Sequence, residues 1–155
     1  MASEQSFILD FTRSPSFFQN FNKEFDLDCM DGTVDGSFQL IIASYSPDNI
    51  LDCLDEDGHL NEDVTVGVDE DGNDLIENIG LVWTPDSYGD GTIGLSDDVT
   101  FDIGDINTQI KAVFLINSDG YVMGYSINMV AIPVTNEVVF DEDVIFWDIR
   151  RYTNG

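Results

Sequence analysis

Residues 110–130 read IKAVFLINSDGYVMGYSINMV, and this stretch decides the fold. A nearly continuous apolar run, Ile110 to Ile116, is followed by Asn117-Ser118-Asp119-Gly120 and then by Tyr121 to Val130, rich in aromatic and β-branched side chains. Asn and Asp bond their own backbone two residues on, and Gly accepts the positive φ that a tight turn needs. The stretch therefore predicts two strands of an antiparallel hairpin.

Outward from that hairpin the chain repeats the same grammar. Gly36 to Ser46 (GSFQLIIASYS) has an apolar centre, as expected of an interior strand. Asp48 to Leu60 holds a short apolar turn and the DEDG cluster Asp55 to Gly58. Val64, Val66 and Val68 alternate, and Asp69-Glu70-Asp71-Gly72-Asn73-Asp74 turns the chain into Leu75 to Trp83, a hairpin with a charged tip. Pro85 to Gly94 reads as a Gly/Asp-rich loop and the most mobile stretch. Val99, Phe101 and Ile103 make a half-buried strand, Pro133 is expected to break the ladder begun at Tyr121, and Glu137 to Arg150 gives one or two strands around the Asp141-Glu142-Asp143 corner.

At the N-terminus Phe7, Leu9 and Phe11 alternate with Ile8, Asp10 and Thr12, an opening strand. Ser14-Pro15 reads as a helix start, placing Phe17, Phe18, Phe21 and Phe25 on one face of a short helix. The alternative is an aromatic loop packed on a sheet edge. Either way the four rings are an anchor, with residues 1–30 the anchoring segment of a single domain spanning 1–155. The expected fold is mostly β: an antiparallel β-sandwich or distorted jelly-roll of about eight strands, with the short N-terminal helix as its one helical option.

The charge narrows the partners. Thirty-one acidic residues face five basic ones, a formal net charge of -26, on a chain that is 43% hydrophobic and 12% aromatic. Disordered acidic chains are poor in aromatics and β-branched residues, so this charge coats a folded body. Asp supplies 23 of the 31 acids, and Asp belongs to turns where Glu belongs to helices. The basic residues Arg13, Lys23, Lys111, Arg150 and Arg151 form no phosphate-neutralising stripe. Direct nucleic-acid binding and anionic membrane surfaces are excluded on that ground. The N-terminus has neither a basic leader followed by an apolar run nor a stretch near 18 apolar residues, so no Sec-type signal or membrane span is expected. Cys29 and Cys53 allow at most one bridge.

The acidic clusters invite a divalent-cation reading, because hard cations take several carboxylate oxygens on a tight Gly turn. An EF-hand fails: with Gly58 at its sixth position Cys53 falls at the first and Val64 at the twelfth, and with Gly72 there Gly67 and Asn78 do. What stays open is looser calcium binding around Asp69, Asp71 and Asp74 or around Asp86 and Asp90, against solvated acidic turns. No cofactor is expected otherwise. The one histidine, His59, sits in an acidic loop and reads as a titrating surface group. With so many acids no carboxylate pair is informative, and no GxSxG, HExxH, GxxxxGK[ST] or GxGxxG motif occurs, so an enzyme is not expected. Arg150 and Arg151 are candidates for docking on an acidic patch of a neighbouring copy, against intramolecular pairing.

Residues 110–151, IKAVFLINSDGYVMGYSINMVAIPVTNEVVFDEDVIFWDIRR, present a paired hairpin, an Ile-Pro-Val connector and a terminal strand rising to a Trp. That pattern resembles the small β-sandwich virion structural proteins of tailed bacteriophages. The resemblance implies a non-enzymatic auxiliary capsid, connector or tail protein, working through interfaces with other virion proteins and copies of itself, in a virion assembled in the bacterial host cytoplasm. It carries over no functional residue. Two other classes stand beside it: an acidic DNA-mimic inhibitor of a nucleic-acid-binding protein, and a calcium-stabilised β binding module.

Overall fold

The hairpin at 110–130 is the tip of a far longer one. In the computed structural model, which describes residues 4–7, 12–13, 38–85, 91–142 and 146–149, the chain runs through β1 (Glu4–Phe7), β2 (Thr12–Arg13), β3 (Phe38–Tyr45), α1 (Ile50–Cys53), β4 (Thr65–Val66), β5 (Ile76–Ile79), β6 (Leu81–Pro85), β7 (Gly91–Leu95), β8 (Val99–Asn117), β9 (Val122–Phe140) and β10 (Phe146–Ile149). Strands β8 and β9 are 19 residues each and pair with one another antiparallel along nearly their whole length. The larger sheet has the order β1-β9-β8-β3-β4, with β2 also on β9 and β5 also on β3; the smaller is β10-β7-β6. Pairing is antiparallel throughout except between β1 and β9. The fold is mostly β and sandwich-like, and its sheets do not close into a barrel.

Both faces of β3 are buried, as its apolar centre requires. Phe38, Leu40 and Ile42 enter a large cluster with Val99, Phe101, Ile103, Ile110, Val113, Leu115, Met123, Val134, Val138 and Phe140, which Leu81 and Leu95 of the smaller sheet join. Ala43 turns the other way, into a second cluster with Ala112, Phe114, Val122 and Cys53 of α1. Phe101 and Phe140 meet edge to face, with centroids 5.6 Å apart at 80°.

Along β8 the core-facing positions are 99, 101 and 103, then 110, then 113 and 115. The parity changes twice because the register shifts between Asp102 and Asn107 and again between Ile110 and Ala112. A bulge flips which side chains face the core, so a 2-residue periodicity read from sequence breaks into separate strands.

Several expectations need correction. Pro133 does not end the ladder; it lies inside β9 opposite Gln109. Strand β2 registers against β9 at Gly124 and Tyr125 and β1 from Glu137 onward, so neither ladder includes Pro133, and a strand tolerates Pro where one side lacks a ladder bond. The Val64–Trp83 hairpin is real only at its tip, through a Val68–Asp74 bridge; its arms β4 and β5 both pair with β3 instead. Leu75–Trp83 is divided at Gly80 between the two sheets. Residues 91–94, the end of the stretch read as loop, belong to β7, the central strand of the smaller sheet. Of the expected opening strand Phe7 to Thr12, Phe7 closes β1 and Thr12 opens β2, while residues 8–11 and the proposed helix of Phe17, Phe18, Phe21 and Phe25 lie outside the described residues. Among the described residues no helix is long and apolar enough to cross a membrane.

Candidate functional site

The acidic clusters resolve into one turn used three times. In Asp55–His59, Asp69–Asn73 and Asn117–Tyr121, the first side-chain Oδ1 accepts N–H bonds from the third and fifth residues, at 2.8 to 3.0 Å. The first N–H donates to the fifth carbonyl, and the Gly N–H at the fourth position donates back to the first carbonyl. Gly58, Gly72 and Gly120 supply φ of 85°, 82° and 88°. This is a type I turn closed by a left-handed Gly bulge, with an Asx bond added. The carboxylate or amide at its first position is an internal acceptor. Accordingly the Asp55 carboxyl is held below the usual carboxylate range, first by the N–H of His59 and then, against slight desolvation, by that of Asp57.

The divalent-cation candidates divide. Asp69 spends Oδ1 on its own turn, while Asp71 and Asp74 are exposed. Asp86 and Asp90 lie outside the described residues. Among the described residues no group of three or more His, Cys, Asp and Glu side chains is placed to hold a metal ion.

The turns also dock. His59 is half-buried, not a free surface group: it bridges Tyr121, the rings meet edge to face at 4.9 Å, and Val122 N–H donates to the Gly58 carbonyl. Glu70, in the second turn, donates its N–H to Ile103 O at 2.9 Å and accepts from Asp105 N–H at 2.8 Å through Oε2. It thereby satisfies backbone groups that the β8 bulge takes out of the ladder.

A cleft of about 240 Å³ opens where β5 passes to β6, against the β7–β8 loop; Glu77, Asn78, Ser96, Asp97, Asp98 and Thr100 are among its lining. Asp98 is already engaged there, accepting from Glu142 N–H at 2.8 Å. The cleft is polar and open, with carboxylates and hydroxyls in its lining.

The most distinctive surface is built on Lys111. Ala112 pairs with Ile127 and Ile110 with Ile132, so the single residue Lys111 on β8 faces four on β9, residues 128–131. Lys111 is only 8% exposed. Its ammonium pairs with the Asp48 carboxylate and donates to Asn128 O at 2.6 Å, with Met129 O at 3.4 Å; Asn128 Nδ2 donates to Ile110 O at 3.1 Å. The bulge thus turns carbonyls inward to a buried cation and side chains outward: Met129 is 85% and Val130 79% exposed. Tyr45 at the end of β3 and Leu51 in α1, on either side of Asp48 in the chain, are also exposed large apolar residues.

Sequence reasoning passed over this site. Its signal was a lysine inside the apolar run IKAVFLI, where a charge needs a built partner set. The interface candidates Phe17, Phe18, Phe21, Phe25, Arg150 and Arg151 lie outside the described residues. Cys53 is a buried free cysteine, its thiol pushed up by desolvation. No protein-family model matches the chain, and no curated protein or solved structure does.

Proposed function

We propose that this protein is a non-enzymatic structural component of a bacteriophage virion, an auxiliary capsid, connector or tail protein that acts through protein–protein assembly interfaces. The observation that carries the assembly reading is the Lys111-anchored bulge, which exposes Met129 and Val130 side by side on a chain of net charge -26. Single exposed apolar residues are ordinary, but a pair at the summit of a built protrusion is a contact feature. The use of Asp55, Asp69 and Asn117 as turn acceptors supports the same reading, since it accounts for the acidic clusters without a ligand. The virion assignment itself rests on the resemblance of residues 110–151.

The DNA-mimic alternative needs a continuous acidic stripe of duplex width. The Asp55 and Asn117 turns sit together at the tip of the β8–β9 hairpin, whereas the Asp69 turn docks at the Gly104 bulge far along β8, which weighs against that reading. Mass spectrometry of particles purified from the encoding virus tests the proposal: the protein is expected in fixed stoichiometry with the other virion proteins. Its absence from the particles ends the virion reading.

A further inference from the structure

We propose that residues 128–131 form a docking prong whose receptor is an apolar pocket on a different, positively charged protein. The inference rests on the assembly reading above and adds the chemistry of the partner. Four residues set against one make a protrusion, and the protrusion is held from inside: the Lys111 ammonium draws in the Asn128 and Met129 carbonyls and is itself tied to Asp48. Exposed strand edges are ordinarily guarded by charged side chains, Pro or bulges, which discourage unwanted pairing. Here the two outermost side chains are Met and Val, the most exposed of the large apolar residues described. Met is an adaptable filler of apolar pockets, and Val a rigid one.

Charge selects the occupant. Beside the prong stands the Asp48 side chain, 67% exposed and paired with the Lys111 ammonium, on a chain whose net charge is -26. A second copy would bring another charge of -26 against the same surface, and like-charge juxtaposition disfavours that encounter. Nucleic acid and anionic lipid meet the same repulsion. A basic protein surface with an apolar depression is complementary on both counts: its charge steers the encounter, and the pocket then buries Met129 and Val130.

The test uses the full chain and two synthetic peptides of equal length and charge, one alternating Leu and Lys, the other Ser and Lys, with binding followed by fluorescence anisotropy at physiological and at high salt. The Leu–Lys peptide is expected to bind the wild-type protein more tightly, and the difference to persist at high salt. Double substitution Met129→Ser/Val130→Ser should weaken the Leu–Lys peptide by more than about tenfold and leave the Ser–Lys peptide unchanged, the scale set by removing buried Met and Val side chains from a contact. Equal binding of the two peptides by the wild type, or of the Leu–Lys peptide by both proteins, overturns the prong. Sedimentation velocity supplies the other arm: self-association abolished by Met129→Ser/Val130→Ser would make a second copy the occupant and overturn the proposal, whereas a distribution the substitutions leave unchanged supports it. Absence from virions would remove the virion reading while leaving these outcomes standing, and the converse holds equally.

Discussion

Glu70 occupies the space that a side chain at position 104 would need. A Cβ on Gly104 would overlap the Glu70 carboxyl group, and Gly104 holds φ at 89°, a conformation costly for L side chains. Glu70 meanwhile bonds Ile103 O and Asp105 N–H, so turn and bulge fit only because position 104 is bare. Gly104→Ala should therefore destabilise by roughly 1–3 kcal/mol from backbone strain alone, and more through displacement of Glu70. Urea unfolding measures this; a change under about 0.5 kcal/mol would contradict it. Glu70→Gln, which keeps an acceptor for Asp105, should cost less than Glu70→Ala, expected at about 1 kcal/mol.

The shared turn predicts an interchange. Asn117 is nearly fully buried and accepts from Asp119 and Tyr121, so Asn117→Ala should cost about 1–3 kcal/mol by orphaning those N–H groups. Asp55→Asn should keep its turn, because Asn fills the same position at 117. Comparative thermal unfolding of the two variants decides whether the motif is one device.

Asp55 also carries a pH signature. Its carboxyl titrates below its ordinary value, which lies near 3.9, because the folded turn donates N–H bonds to the ionised form. A folded-state pKa depressed in this way contributes stability that is fully present above the unfolded value and is lost as pH falls through the folded one. The wild type should therefore lose stability below about pH 4 more steeply than Asp55→Asn. Denaturant melts across the acid range check this; parallel curves would dismiss the contribution.

Lys111 should matter more than its ion-pair partner. Removing the ammonium leaves inward-facing carbonyls at Asn128 and Met129, so Lys111→Met should destabilise by about 1–3 kcal/mol and speed amide exchange across 128–131. Asp48 is largely exposed, and Asp48→Asn should cost no more than about 1 kcal/mol. Hydrogen exchange by mass spectrometry separates the two.

Phe101 and Phe140 join the far ends of the long hairpin, Phe101 early in β8 and Phe140 closing β9. Either Phe→Ala change should cost about 3–5 kcal/mol. A double-mutant cycle should show coupling of about 0.5–1.5 kcal/mol for the edge-to-face contact.

How much of this was legible in the chain depends on distance along it. The apolar run Ile110–Ile116 and its Asn-Ser-Asp-Gly turn predict the hairpin tip correctly, because turn chemistry is settled within five residues. The centre of Gly36–Ser46 likewise announces an interior strand, and β3 is one, paired with β8 on one side and with β4 and β5 on the other. The chain hides the continuity of β8, because the register shifts at 102–107 and 110–112 swap the faces of Ile103, Ile110 and Val113 and mimic strand ends. The recurrence of Asp or Asn, any residue, Asp and Gly at 55, 69 and 117 was there to read, and seeing it would have turned three acidic clusters into one structural motif.

Local sequence alone determined the β class, the acid-rich turns and their Asn/Asp/Gly chemistry, since each follows from side-chain chemistry acting over a few residues. Tertiary structure alone decided that Pro133 stays within a strand, that β4 and β5 share β3 instead of each other, and that Met129 and Val130 stand outward on a buried lysine. Those outcomes depend on which strand edges meet, 63 residues apart in the chain for Lys111 and Asp48. Register across such separations depends on which apolar faces meet in the folded chain, so a pattern read over a few residues does not fix it alone.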